Sequence, residues 1–314
     1  MKRFLFVLVL AAIVASLGFA GARRQPVDGE RFALLLKPLS NEYWATMKEG
    51  VQAWARQNNV IVNVYAVDSE ENFTGQLNQL ENLVRLGYSG IGVAPLSPVN
   101  LINGIVMANR AGIPVANVDE PVDFAQLRAA GGHMIVNYTT DNIAVGRTGG
   151  NYIVQRIGAG AQAAIIEGTA GNVTSRLRSQ GAQEAMRAGG VNVVSIQNGD
   201  WDRVRALDIA TNIMQAHPNV RAFYAANDTM ALGILQAVIN MGRTDTVIVV
   251  GTDAVPGAVE SVQAGGLAAT VGQDPVGIGI ASVQALIRAH REGFVFDPSQ
   301  DIPVRYIDSF LVTR

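Results

Sequence analysis

The residues most able to do chemistry directly follow the apolar run 32–36. Lys37 ends that run, a short turn containing Asn41 comes next, and Tyr43 and Trp44 then open a helical pattern. Ligands of open α/β sheets bind at the carboxyl ends of strands, so this loop would bring a cation, an amide and two aromatic rings to such an edge. Flat rings beside hydrogen-bonding groups suit a sugar, which has apolar C–H faces and hydroxyl edges. The alternative is an ordinary loop with both rings in the core.

Polar side chains also follow most of the other apolar runs. A single polar residue at a strand end is usually a helix cap, but there are more of them here than capping requires. Together they offer too many hydrogen bonds for an apolar ligand, and they contain no nucleophile–base pair. The set consists of Asp119, Asn172, Arg178, Trp201, Asn227, Asp253 and Gln273.

The sequence lacks the patterns that indicate an enzyme or a metal centre. The three histidines are His133, His217 and His290, and none has a companion at metal-ligand spacing. There is no G-x-S-x-G elbow and no phosphate loop ending in Gly-Lys. The acidic residues Asp68, Glu70 and Glu71 lie at the start of a predicted helix, where negative charge interacts favourably with the helix dipole. We therefore interpret them as part of a solvent-exposed face. We therefore expect no reaction, no metal and no cofactor.

Composition narrows the class of protein further. The net charge is −2, so the chain carries no broad basic field that could hold nucleic acid. Hydrophobic residues make up 49% and charged residues 16%, which favours deep burial in sheets covered by helices on both faces. The absence of cysteine excludes disulfides, thiol catalysis and a lipid-modified cysteine anchor.

We expect residues 1–20 to be a cleaved secretory signal. Lys2 and Arg3 form a basic start, an unbroken apolar run follows, and small residues around Ala20 suit cleavage there. The segment is too short for a membrane-spanning helix. We expect the mature protein in the periplasm. Its length, about 290 residues, suits two domains.

Apolar strand candidates alternate with helical patterns along the mature chain, which predicts parallel sheets with right-handed crossovers. One helical stripe contains Trp44, Met47, Val51, Trp54 and Ala55, so Trp54 is expected in the core. The predicted strands are 31–37, 60–66, 90–94, 113–118, 133–137, 162–167, 191–196, 221–225, 246–251 and 268–271, with a final strand in the tail at 303–312.

Several runs make the chain resemble the periplasmic sugar-binding proteins of the ribose/galactose type. They include LSNEYWATMKEG, GIPVANVDE and GTAGNVTSRLRSQG, and such runs span nearly the whole mature chain. Within that family, Lys37, the pair Asp119-Glu120 and the run APLSPVNL are similar to the D-allose-binding members. The resemblance implies a sugar-binding component of an ABC transporter. The first candidate for its ligand is D-allose, and the second is D-ribose.

The resemblance also implies the architecture and the partners. The fold class would be α/β, with two similar doubly wound parallel-sheet lobes joined by a three-crossing hinge, the type I periplasmic binding protein fold. The N-terminal lobe would hold 31–140 plus 274–305, and the C-terminal lobe 141–273 plus 306–314. We expect a monomer that binds a monosaccharide and an inner-membrane ABC permease and does not bind nucleic acid. Whether a chemoreceptor is a second protein partner stays open.

Roles for the candidate residues follow from the same resemblance. Tyr43 and Trp44 would cover one face of the sugar and Trp201 the other. The hydrogen-bonding partners of the hydroxyls would be Lys37, Asn41, Asp119, Asn172, Arg178, Asn227, Asp253 and Gln273, with Asn172 less well supported than Arg178.

Two other classes of protein share such a fold. The effector-binding core of a sugar-responsive transcription regulator would need a DNA-binding headpiece at the N-terminus, where this chain carries the expected signal. A secreted two-lobed enzyme would need a nucleophile or metal ligands, which the motifs above do not supply.

Overall fold

The computed structural model describes residues 29–314, so the expected signal at 1–20 lies outside the described residues. The described chain forms two six-stranded sheets. The first, in spatial order β11-β5-β4-β3-β1-β2, contains β1 (Arg31–Leu36), β2 (Ile61–Ala66), β3 (Gly90–Val93), β4 (Val115–Val118), β5 (Asn137–Thr140) and β11 (Val304–Ile307). The second, in order β12-β10-β9-β8-β6-β7, contains β6 (Gln162–Glu167), β7 (Asn192–Asn198), β8 (Val220–Ala225), β9 (Ile248–Asp253), β10 (Ala269–Gly272) and β12 (Phe310–Thr313).

Ten helices connect these strands within the described part of the chain. Most begin at an asparagine or aspartate whose side chain accepts a hydrogen bond from a backbone N–H of the first turn, as at Asn41 and Asp141. No helix among residues 29–314 combines the length and apolarity needed to cross a bilayer. The helices are α1 (Glu42–Gln57), α2 (Phe73–Arg85), α3 (Ile102–Arg110), α4 (Phe124–Ala129), α5 (Asn142–Ile157), α6 (Val173–Ala188), α7 (Arg203–Ala216), α8 (Asp228–Asn240), α9 (Pro256–Ala264) and α10 (Pro275–Arg291).

The central strands are buried on both faces, which explains their continuous apolar sequences. Five of the six residues of β1 are buried, and so are all four of β3 and of β4. All ladders are parallel except the one between β10 and β12. The prediction of two parallel-sheet α/β lobes is therefore confirmed. We call the sheet containing β1, with its helices, the first lobe, and the sheet containing β6, with its helices, the second.

The chain crosses between the lobes three times. After β5 it enters α5, which packs on β8, β9 and β10. After β10 it returns through α10, which packs on β1, β3, β4 and β5. The last crossing separates β11 from β12. The residue boundaries of the lobes stay a prediction, and the one expected between 305 and 306 falls inside β11.

Two predicted strands differ from the structure. The run 133–137 is buried at Met134 and Val136, but strand β5 begins only at Asn137. The sequence of β5 is polar, so a search for hydrophobic runs does not find it. The tail at 303–312 forms two strands and not one, because the chain passes at Asp308 and Ser309 from the edge of one sheet to the edge of the other.

The stripe predicted on α1 faces the core. Tyr43, Trp44, Met47, Val51 and Ala55 are buried, and the partly buried Trp54 packs against the same cluster of core residues. The first turn of α1 therefore serves both the core and the edge of the sheet where the candidate residues lie.

Candidate functional site

The carboxyl ends of strands from both lobes meet at one cavity. Lys37 directly follows β1 and Asp119 directly follows β4, while Asp253 ends β9 and Asn227 follows β8 by two residues. The cavity is small and partly open to solvent. Its lining consists of Lys37, Asn41, Tyr43, Trp44, Glu70, Asp119, Glu120, Thr174, Arg178, Trp201, Asn227 and Asp253.

Nine of the eleven residues named from the sequence line this cavity. The other two lie close to it without lining it. Asn172 caps α6, accepting from the Ser175 N–H at 2.7 Å. Gln273 donates its Nε2–H to Asp253 Oδ1 at 2.6 Å, so it orients a lining carboxylate.

Three lining residues were missed by the sequence reasoning. Thr174 follows the cap of α6, and Glu120 directly follows Asp119. Glu70 was read with Asp68 and Glu71 as part of a solvated helix start, which is wrong for Glu70. Its carboxylate lies 2.9 Å from the ammonium of Lys37, and its side chain is only 20% exposed. The sequence held no local signal for that pairing, because the two residues come from different strand ends.

Lys37 is a buried cation held by acids. Its Nζ lies 2.9 Å from Glu70 Oε2, 4.0 Å from Glu120 Oε2 and 5.8 Å from the centre of the Trp201 ring. Burial lowers the pKa of Lys37, but the Glu70 and Glu120 carboxylates outweigh burial and raise it above its usual value. The ammonium is therefore charged and positioned to donate into the cavity.

Arg178 is the corresponding cation of the second lobe. Its Nε donates to Asn142 Oδ1 at 2.8 Å, and Nη1 donates to the Ala226 carbonyl at 2.8 Å and to Asp253 Oδ1 at 3.3 Å. Burial lowers the pKa of Arg178, and the Asp253 and Asp119 carboxylates more than compensate. These bonds fix the plane of the guanidinium before any ligand arrives, which reduces the ordering cost of binding.

Two aspartates provide strong acceptors from opposite lobes. Asp119 is 3% exposed and Asp253 is 6% exposed. Burial raises the pKa of Asp119 to about 6, against the pull of Arg178. Burial likewise raises the pKa of Asp253 to about 7, although Arg178 and Gln273 oppose it. Hydroxyl donors from a ligand would favour the ionised form of both.

Three lining residues adopt the left-handed backbone region that favours glycine. The φ angles are 62° at Asp119, 62° at Trp201 and 119° at Asp253. Such conformations cost free energy, and they cluster where the surrounding structure holds a side chain in a required place. Buried polar neighbours hold the loops that contain Asp119 and Asp253.

Those neighbours are Asn117 and Asp228. The Nδ2 of Asn117 donates to the Glu120 carbonyl at 2.6 Å, and its Oδ1 accepts from the Val122 N–H at 3.0 Å. Asp228 Oδ2 accepts from the Val255 N–H at 3.0 Å, which ties down the turn after Asp253. Burial raises the pKa of Asp228 well above its usual value.

The aromatic residues of α1 do not form one flat platform. The rings of Tyr43 and Trp44 lie 4.9 Å apart, at 86° to each other. Two perpendicular rings cannot both stack flat on the same face of a ligand. The expectation that Tyr43 and Trp44 together cover one sugar face stays a prediction, with at most one of the two rings stacked flat. One of them can present its face, and the other presents an edge.

Several buried polar atoms of the lining have no hydrogen-bond partner among the described residues. They are Tyr43 Oη, Thr174 Oγ1, Trp201 Nε1 and Asn227 Nδ2. Leaving such groups unpaired is costly, and native proteins nearly always satisfy them. Together with two cations and four carboxylates, they match a neutral ligand that carries many hydroxyls on a small frame.

Comparison with known sequences and structures points the same way. The sequence model of the family described as "Periplasmic binding protein domain" matches residues 32–292. The chain is 44% identical over 285 residues to the D-allose-binding periplasmic protein of Escherichia coli K12, covering 90% of this chain and 92% of that protein. It is 33% identical to the ribose import binding protein of the same organism, covering 88% and 90%.

Among solved structures, the chain is similar to an ABC transporter periplasmic solute binding protein from Actinobacillus succinogenes 130z with bound D-allose. The TM-score is 0.85, at 30% identity, over 90% of this chain and 97% of that one. An ABC transporter solute binding protein from Burkholderia multivorans gives a TM-score of 0.84 at 27% identity, over 90% and 99%. The names of these relatives describe binding proteins, and three of the four names refer to import or to an ABC transporter.

Proposed function

We propose a function for this chain, which belongs to the periplasmic binding protein family. We infer that it is the substrate-binding component of a sugar ABC transporter and that it binds one aldopyranose. D-allose is the first candidate for this ligand and D-ribose the second. The ranking is supported by the relative named for D-allose, which is 44% identical, and by the relative named for ribose, which is 33% identical.

The observation that carries the proposal is the division of the cavity between the lobes. Lys37 and Asp119 reach it from the first lobe, and Arg178, Asn227 and Asp253 reach it from the second. A small ligand that contacts both sets stabilises the closed arrangement, because neither half alone satisfies its hydroxyls. Charge-assisted hydrogen bonds from these groups are about twice as strong as neutral ones.

The chain performs binding and release without changing a covalent bond. The three crossings form the hinge about which the lobes close on the sugar. In the closed form, both lobes present one continuous surface to the inner-membrane permease, and a chemoreceptor would recognise the same state. The site residues named above act only by donating or accepting hydrogen bonds, by packing on the sugar and by excluding water.

The proposed location is the periplasm. The basic start and apolar run before Ala20 support export, as does the relatives' description as periplasmic proteins. N-terminal sequencing of protein from the periplasmic fraction should begin near Gly21. Recovery of the full-length chain from the cytoplasm would contradict export and would favour the regulator alternative.

Calorimetry with D-allose, D-ribose and D-glucose tests the ligand. D-glucose differs from D-allose in the configuration of one ring hydroxyl, so a site built to bond that hydroxyl should reject it. We expect tight binding of D-allose, weaker binding of D-ribose and much weaker binding of D-glucose. Small-angle scattering should show compaction with D-allose, and Asp119→Ala should abolish both effects. Equal affinity for all three sugars, or no compaction with any, would contradict the proposal.

A further inference from the structure

Gly168 lies directly after β6 and does not itself line the cavity. Its α-carbon rests against the indole of Trp201. A Cβ added at residue 168 would come closer than 3.0 Å to Cε2, Cζ2 and Cη2 of that ring, a separation that real Cβ atoms essentially never show. Every residue type except glycine would therefore collide with the indole.

Backbone conformation does not explain why this position is glycine. Gly168 is not among the residues with positive φ, so an alanine could adopt its backbone angles. Space is the reason: the glycine makes room for one particular ring.

The loop that contains Gly168 cannot easily retreat from a clash. Its N–H donates to Ser175 Oγ at 2.8 Å, and its carbonyl accepts from Asn198 Nδ2 at 3.0 Å. Ser175 belongs to α6 and Asn198 to β7, so two neighbouring elements of the second lobe hold the glycine in place. A side chain at this position must displace the indole and not the backbone.

The indole itself is held in a specific place. Trp201 has a φ of 62°. The centre of its ring lies 5.8 Å from the Nζ of Lys37, which belongs to the first lobe. Its Nε1 is buried without a partner among the described residues. The position of this ring therefore decides the cation–π contact across the cleft and the place of an unpaired donor of the cavity lining.

We propose that Gly168 is a positioning residue, which sets the Trp201 ring where it contacts the ligand. The affinity part of this inference rests on the proposed sugar-binding function. The positioning part does not, because the contact is between two groups of the protein itself.

The first test uses ligand-free protein. Gly168→Ala should raise acrylamide quenching of tryptophan fluorescence, because a displaced Trp201 becomes accessible. The same substitution made in a Trp201→Phe background should change nothing, since only Trp44 and Trp54 then emit. Gly257→Ala is the matched control, because a Cβ there meets no atom closer than 3.6 Å and the backbone φ is not positive. Unchanged quenching in Gly168→Ala would overturn the proposal.

The second test measures D-allose affinity by calorimetry. Gly168→Ala should weaken binding roughly tenfold or more, the scale of losing one buried aromatic contact. The double variant with Trp201→Ala should bind no more weakly than Trp201→Ala alone, because both changes remove the same contact. Additive losses would overturn the positioning role. If wild-type protein binds no sugar while the quenching result holds, the proposed function fails and the positioning role stands.

A third measurement covers the case in which Gly168→Ala does not fold. Adding Trp201→Ala removes the ring that causes the clash, so the double variant should recover the cooperative thermal unfolding of Trp201→Ala. Failure of the double variant to recover it would show that the glycine serves the backbone alone and would overturn the proposal.

Discussion

The carboxylate of Glu120 bridges the cleft to the first turn of α6 near Thr174. Glu120 follows a strand of the first lobe, and its Oε1 accepts from the Thr174 N–H of the second lobe at 3.5 Å. Its other oxygen lies 4.0 Å from Lys37 Nζ. A negative charge at a helix N-terminus is favourable, so this contact helps to hold the two lobes together.

Glu120→Ala should therefore weaken binding of every sugar by a similar factor. Loss of a charge-assisted contact of this length is worth about 1 kcal/mol, or about fivefold in affinity. Calorimetry with D-allose and D-ribose measures the factor for each. Glu71→Ala, which removes an exposed carboxylate nearby, should leave both affinities unchanged. A loss confined to one sugar would show instead that Glu120 contacts a specific hydroxyl.

Trp201→Ala should weaken D-allose binding by roughly 1–3 kcal/mol, the scale of a lost buried aromatic contact. Trp54→Phe should leave the affinity nearly unchanged, because Trp54 packs against the core and does not line the cavity. Calorimetry on the two variants distinguishes them. The assignment of the stacking ring would be wrong if Trp54 mattered and Trp201 did not.

Lys37→Met should destabilise the ligand-free protein by about 3 kcal/mol. Removing one partner of a buried ion pair leaves the other charges uncompensated, and here both Glu70 and Glu120 would lose their cation. Urea denaturation of the ligand-free protein measures the change. Lys48→Met is the control, since Lys48 is the other lysine among residues 29–314 and makes no ion pair with any of them. Equal effects of the two substitutions would refute the role of the buried network.

Sugar affinity and ligand-free stability should depend on pH with opposite signs. Burial raises the pKa of Asp119 to about 6 and of Asp253 to about 7, from an ordinary value of 3.8. The folded state therefore holds these protons more tightly than the unfolded chain does. That contribution to the free energy of unfolding is present below pH 3.8 and is lost as the pH rises through 6 and 7.

D-allose affinity should rise over the same interval, because ionised carboxylates accept hydroxyl donors better. The gain is at most about tenfold per pH unit for each proton released. Calorimetry and urea denaturation between pH 5 and 8 measure the two slopes. Asp119→Asn should reduce both, and Asp245→Asn, at an exposed position, should change neither. Parallel slopes for affinity and stability would contradict this account.

The site could be located from the sequence because strand ends are local features. A run such as 32–36 followed by Lys37 predicts both a buried strand and the residue at its carboxyl end, and parallel sheets collect such ends at one edge. The same logic found Asp119 and Asp253. It missed Glu70 because its partner Lys37 lies 33 positions away on another strand end, and no local pattern encodes a pairing of that kind.

The α/β class, the alternation of strands and helices and most of the polar side chains that line the cavity could be predicted from the sequence. Tertiary structure alone decided how these groups act. The perpendicular setting of Tyr43 and Trp44, and the collision that reserves residue 168 for glycine, depend on distances between separate elements. Local propensity acts over a few residues, whereas the position of a side chain in a cavity follows from the close packing of every element around it.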